Sequence, residues 1–209
     1  MRNLRIILAV GLFVLSACND AKKPSNANFT TAINQYLAKH GQVCTSIGRQ
    51  FPVDVPRLGQ SDLSGLGAKL TALEQTGLVS GTDTTAVVHG MLDPLRGPTP
   101  PQPVRRYELT AEGQKYFRQI QGIFGPSTGF CYGQKTVDSI VKWTEPEAAL
   151  HSQAEVTYTY KIVNLAAWAE RPDVQQVFPD IRATINETSK TNQIVGVQLT
   201  NKSWEVPGQ

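Results

Sequence analysis

The chain has 209 residues, with 20 lysines and arginines against 17 acidic residues and a formal net charge of +3. So slight a surplus excludes the broad basic footprint of a nucleic-acid-binding protein. The length accommodates one large domain or two small ones.

The first seventeen residues have the layout of an export signal. Arg2 and Arg5 supply a positive start, Ile6 to Leu15 an apolar run, and Ser16-Ala17 two small residues before a cleavage point. The run is about ten residues long, half of the roughly twenty that a membrane-spanning helix needs. It ends in Leu15-Ser16-Ala17-Cys18, which resembles the lipobox of bacterial lipoproteins. The resemblance implies a diacylglycerol on the Cys18 thiol, cleavage just before it, and acylation of the new amine. Two or more acyl chains anchor a protein stably where one binds only marginally. The other reading is an ordinary secretory signal with Cys18 as an incidental thiol. Asn19 stands where the inner-membrane retention signal of enteric bacteria has aspartate, which favours the outer membrane facing the periplasm, although Asp20 follows one place later.

Removing residues 1–17 changes the charge and the cysteine count. The 20 basic residues less Arg2 and Arg5 leave 18 against 17 acidic ones, a net of +1. Cys44 and Cys131 remain as a pair, which in an oxidising compartment reads as a structural disulfide. Two buried thiols or a redox pair are the alternatives, although redox pairs usually take the form Cys-x-x-Cys.

Residues 18–27 carry lysine, proline, serine and asparagine without a hydrophobic pattern and read as a flexible tether. Ile33, Tyr36, Leu37 and His40 recur at helical spacing and Gly41 stops them, predicting a helix over 29–40. Pro52, Pro56 and Gly59 exclude a continuous helix over 45–60. A second helix is expected over 61–77, with Leu66, Leu70 and Leu73 as its apolar stripe and Gly77 beyond its end. Strand signals at 84–88 and 104–109 flank a proline-rich loop, and Thr110 caps a third helix expected to run to about Gln121.

This order resembles the winged-helix domains of bacterial regulators over residues 29–121. Leu73, Glu74, Gly77, Leu78, Val79, Tyr107, Leu109, Thr110 and Gly113 carry the match. The chain departs from that pattern at 45–60, where a central helix belongs, and in the long 91–103 loop. Such a fold implies DNA, yet the would-be reading helix has Lys69 as its one cation against Asp62 and Glu74, too few for phosphate contacts. Arg105-Arg106 is the nearby basic pair, read either as a solvated strand edge or as a partner contact.

Beyond a turn or boundary at 122–129 the pattern becomes β. Thr136 to Trp143 alternates, and Ala154 to Val163 sets Val156, Tyr158, Tyr160 and Ile162 on one face. Short helical turns are expected over 165–178, closed by Pro179, and strands over 181–188 and 194–206. The fold class is therefore α+β: a winged-helix-like unit over 28–122 and an antiparallel sheet of about four strands over 130–209. Trp143, Tyr158 and Tyr160 are core residues by default, or partner anchors where exposed.

Catalytic and metal signals are weak. His40, His89 and His151 lack ligand spacing, no nucleophile elbow or phosphate loop occurs, and Glu145 and Glu147 flank Pro146 in a turn. No cofactor or metal is expected. The leading expectation is a non-enzymatic envelope lipoprotein that binds a protein partner and no nucleic acid. The alternatives are a periplasmic hydrolase with two acids distant in sequence and a winged-helix nucleic-acid binder.

Overall fold

A computed structural model describes residues 21–56, 65–88, 100–122, 125–146 and 152–208. The expected signal over 1–17, Cys18, Ser61 to Ser64 of the expected second helix, His89, most of the proline-rich loop, Glu147 and His151 lie outside them.

The architecture is mixed α+β, with two antiparallel sheets. Helix α1 (Asn26–His40) leads into β1 (Gln42–Ser46) and β2 (Val53–Pro56). Helix α2 (Leu66–Gln75), the pair β3 (Val79–Ala86) and β4 (Gln102–Leu109), and the short α3 (Ala111–Tyr116) follow. Next come β5 (Phe117–Gly122), β6 (Gly125–Trp143) and β7 (Gln153–Val163). A 3-10 turn (Ala167–Glu170), α4 (Pro172–Val177), α5 (Pro179–Asn186), β8 (Gln193–Leu199) and β9 (Trp204–Glu205) complete the chain. The large sheet runs β1-β6-β7-β8-β9 with β5 also on β6; the small one is β2-β4-β3.

Strand β6 is the spine. Over its first half β5 pairs on one edge and β1 on the other; over its second half β7 pairs from Gln134 to Trp143. The edge that β1 leaves open is closed by α1. Asn34 Oδ1 accepts from the Val137 amide at 2.8 Å, the Lys135 amide donates to the Gly41 carbonyl at 2.8 Å, and the Gln134 side chain donates to the Leu37 carbonyl. The sheet thus curls as a half-barrel around α1, whose Phe29, Ala32 and Ile33 are fully buried. Phe29 meets Trp143 and Trp204 edge-on at 5.2 and 5.0 Å, the favoured aromatic geometry. A second core gathers Phe130 and Tyr132 of β6, Leu70 and Leu73 of α2, Tyr107 of β4, Trp168, Phe178 and Ile181.

A winged-helix unit over 28–122 is not what these residues build. Helix α1 packs on β6 and β9 of the large sheet, and β1 joins that sheet too. The third helix ends at Tyr116 instead of Gln121, because Phe117 turns extended and its ring packs on Phe51 and Phe130. Residues 117–122 then pair with 125–130, with Gly122 opposite Gly125 and Gly129 within β6, so the described part of the stretch read as a turn or boundary belongs to the large sheet. The expected strand at 181–188 is helix α5. Pro179 occupies its first turn, where the missing amide costs nothing, and Ile181 and Ile185, four apart, face the core. Two further expectations shift. Residues 194–206 form a short hairpin, with Thr200 bonded across the turn to Ser203. Thr157 and Thr159 are buried along with the aromatic face of β7.

The expected helix 29–40 starts three residues earlier than its periodicity indicates. Ser25 caps it, accepting from the Asn28 amide at 3.2 Å. Just upstream, Trp204 Nε1 donates to the Lys22 carbonyl at 3.0 Å and Asn28 Nδ2 to the Lys23 carbonyl at 2.8 Å. Residues 22–27, assigned to a flexible tether by composition, are docked.

Candidate functional site

The disulfide forms. Cys44 of β1 faces Cys131 of β6 at 2.06 Å between sulfurs, closing 87 residues.

Of the residues singled out for partner binding, the two tyrosines are buried and the other three are partly exposed. Tyr160 is 1% exposed and Tyr158 8%. Half-buried Trp143 donates its indole N–H to Asn26 at 3.0 Å while its ring packs on Phe29. Arg105 and Arg106 lie on β4, the middle strand of its sheet, so they do not protect an edge. Arg106 forms a two-pronged bond with Asp54 at 2.7 Å for each prong, and Arg105 meets Glu74 at 2.6 Å. The bond to Arg106 holds the Asp54 carboxyl below the ordinary carboxylate value. His40 stacks on Tyr36 at 4.6 Å, and Glu145 is exposed.

A cluster of shifted groups sits between β6, β7 and α5. Burial pushes the Tyr160 hydroxyl up to about 12, with the Glu187 charge adding to it. Its O–H donates to the Thr184 carbonyl at 3.2 Å. Lys135 Nζ lies 4.0 Å from the centre of the Tyr160 ring, and burial lowers its pKa while Glu187 opposes the change. Burial also raises the Tyr132 hydroxyl. The Tyr160 ring occupies Lys135 and the Thr184 carbonyl occupies the Tyr160 hydroxyl, a structural arrangement. Among the described residues, no group of three or more His, Cys, Asp or Glu could hold a metal ion.

One open feature is a groove at Arg49, in the loop joining β1 to β2. Thr128 of β6 fixes that loop from both sides of its own peptide. Its hydroxyl donates to the Arg49 carbonyl at 2.7 Å, and its carbonyl accepts from the Ile47 and Gly48 amides at 2.9 and 3.1 Å. Gly48 takes φ +65°, which a side chain would strain. Phe51 pins the far end against Phe117 and Phe130, at 5.3 and 6.1 Å between ring centres.

Arg49 lines three adjoining clefts. One of about 240 Å³ runs along Gln119 and Ser127, one of about 350 Å³ reaches Leu66 and Lys69, and one of about 450 Å³ reaches Val53, Asp54 and Gly67. All are open to solvent. Arg49 is exposed, and Lys69 holds its Nζ 5.3 Å from the Phe178 ring centre. Neither forms an ion pair with another described residue, whereas Asp54 is neutralised by Arg106. The groove therefore offers two cations on a braced frame, suited to a carboxylate-bearing segment that a guanidinium fork can grip. Enclosed pockets suit small molecules better than open grooves of this kind.

Arg49 is not marked in the sequence, where Pro52, Pro56 and Gly59 show only that 45–60 is no continuous helix. Nothing within that stretch signals Thr128, seventy-nine residues away. Compared with known proteins, the chain matches no family model, no curated protein and no solved structure.

Proposed function

We propose that this chain is a bacterial envelope lipoprotein, anchored by acyl groups on Cys18 in the outer membrane and facing the periplasm. It acts there as a non-enzymatic binding or scaffold module. The observation that carries the anchor is Leu15-Ser16-Ala17-Cys18 at the end of a ten-residue apolar run with Arg2 and Arg5 before it. Cys44 and Cys131 at disulfide distance support an oxidising compartment. The binding role draws support from the Arg49 groove, since the aromatic and arginine residues marked out by sequence are engaged within the fold. The partner segment it fits is extended and acidic.

Fractionation of envelopes tests the anchor. The protein follows the membrane, and a Cys18→Ala variant moves to the soluble fraction; identical distribution of the two would remove the anchor. A photocrosslinker at Gln50 tests the groove. It yields one dominant adduct in intact envelopes, and Arg49→Glu with Lys69→Glu reduces that adduct about tenfold, as loss of one or two charge-assisted bonds requires. An undiminished adduct would place the partner elsewhere.

A further inference from the structure

The docked segment before α1 limits how far the folded body can stand from its anchor. Lys22 and Lys23 are tied by their carbonyls to Trp204 and Asn28. Trp204 is 2% exposed and packs on Phe29, itself fully buried. Lys22 is thus part of the body, not of a leash. Between it and Cys18 lie Asn19, Asp20 and Ala21. At about 3.3–3.6 Å per residue, the path from Cys18 to Lys22 spans at most about 14 Å in any conformation.

We infer that the end of the molecule built from Lys22–Ser25, the Thr200–Ser203 turn and Pro207 is its membrane-facing surface, resting on phospholipid headgroups. This rests on the lipid anchor proposed above. Covalent length selects this end, and charge does not: Lys22, Lys23 and Lys202 are opposed by Glu145 and Glu205.

Strand β6 measures where the opposite end falls. Trp143 lies at the anchored end, bonded to Asn26 of α1. Thr128, which holds the Arg49 loop, is fifteen residues back along the same strand. At about 3.3 Å per residue, less one residue for each of its three bulges, that is at most about 40 Å along the curved strand. The Arg49 groove, at the far part of β6 from the anchored end, is thereby held away from the headgroup layer.

The test uses full-length acylated protein in phosphatidylethanolamine–phosphatidylglycerol vesicles. With Cys18 acylated and Cys44 bonded to Cys131, a cysteine introduced at exposed Lys202 or exposed Gln50 is the one thiol available for a fluorophore. Quenching by a headgroup-labelled lipid is expected to be several-fold stronger at Lys202→Cys than at Gln50→Cys. A ten-residue Gly-Ser insertion after Asp20 is expected to remove most of that difference. Equal quenching at both positions, or stronger quenching at Gln50, in protein whose Cys18 acylation is verified by mass would overturn the orientation alone. Absence of acylation would overturn the anchor, and the orientation with it.

Discussion

Tyr160 illustrates how burial converts an ordinary side chain into a pH-dependent one. An unfolded tyrosine ionises near pH 10, whereas burial pushes this hydroxyl up to about 12. A raised folded pKa means that the folded state holds the proton more tightly. The associated stability is intact below pH 10 and is lost as pH climbs towards about 12. Urea unfolding at stepped alkaline pH checks this: Tyr160→Phe should flatten that decline, and an unchanged profile would assign it to other groups. The disulfide acts through the unfolded chain instead. Closing 87 residues stabilises by about 4–5 kcal/mol in the loop-entropy account. Replacing both Cys44 and Cys131 with serine should therefore lower the unfolding free energy by several kcal/mol, read from the denaturant midpoint. The cysteine pair was legible from its count and context. The fate of Arg105 and Arg106 was not, because their acidic partners, Glu74 and Asp54, lie 31 and 52 residues away.

Elements with their own periodicity were readable; those defined by partners were not. Helix α1 declared itself through Ile33 and Leu37, and β7 through Val156, Tyr158 and Tyr160, since one face of each meets a core. Residues 117–122 follow a helix and carry no strand alternation, and they become β5 because β6 offers an edge. Ile181 and Ile185 suit either a helix face or a strand, and Pro179 resolves the choice only once it is seen as a starter rather than a stop. Asn34 is the clearest case of a role invisible in the chain. On an otherwise ordinary helix turn, its side chain stands in for a missing strand by accepting from the buried Val137 amide. Asn34→Ala leaves that amide unpaired, an expected cost of about 1–3 kcal/mol. Amide exchange at Val137 should accelerate beyond what the global stability loss explains; exchange slowed or unchanged would mean that α1 does not close this edge.

At the scale of the molecule, β6 unites what the sequence divided. Its Phe130 and Tyr132 enter the core shared with α2 and the small sheet, and its Val137 enters the core around α1. The clustered glycines at 122–129 read as a turn or a boundary, and the strand that enters both cores begins among them, at Gly125. It runs from Trp143, bonded to Asn26 just after the docked Lys22, back to Thr128 at the Arg49 loop. The functional account depends on how the folded body is held, and thus on Cys18. The most direct measurement is the mass of the N-terminal peptide from protein extracted from envelopes. The account predicts a peptide that begins at Cys18 and carries a diacylglycerol on its thiol, with a further acyl group on its amine. A peptide that begins at another residue, or at Cys18 with a free thiol, would contradict it.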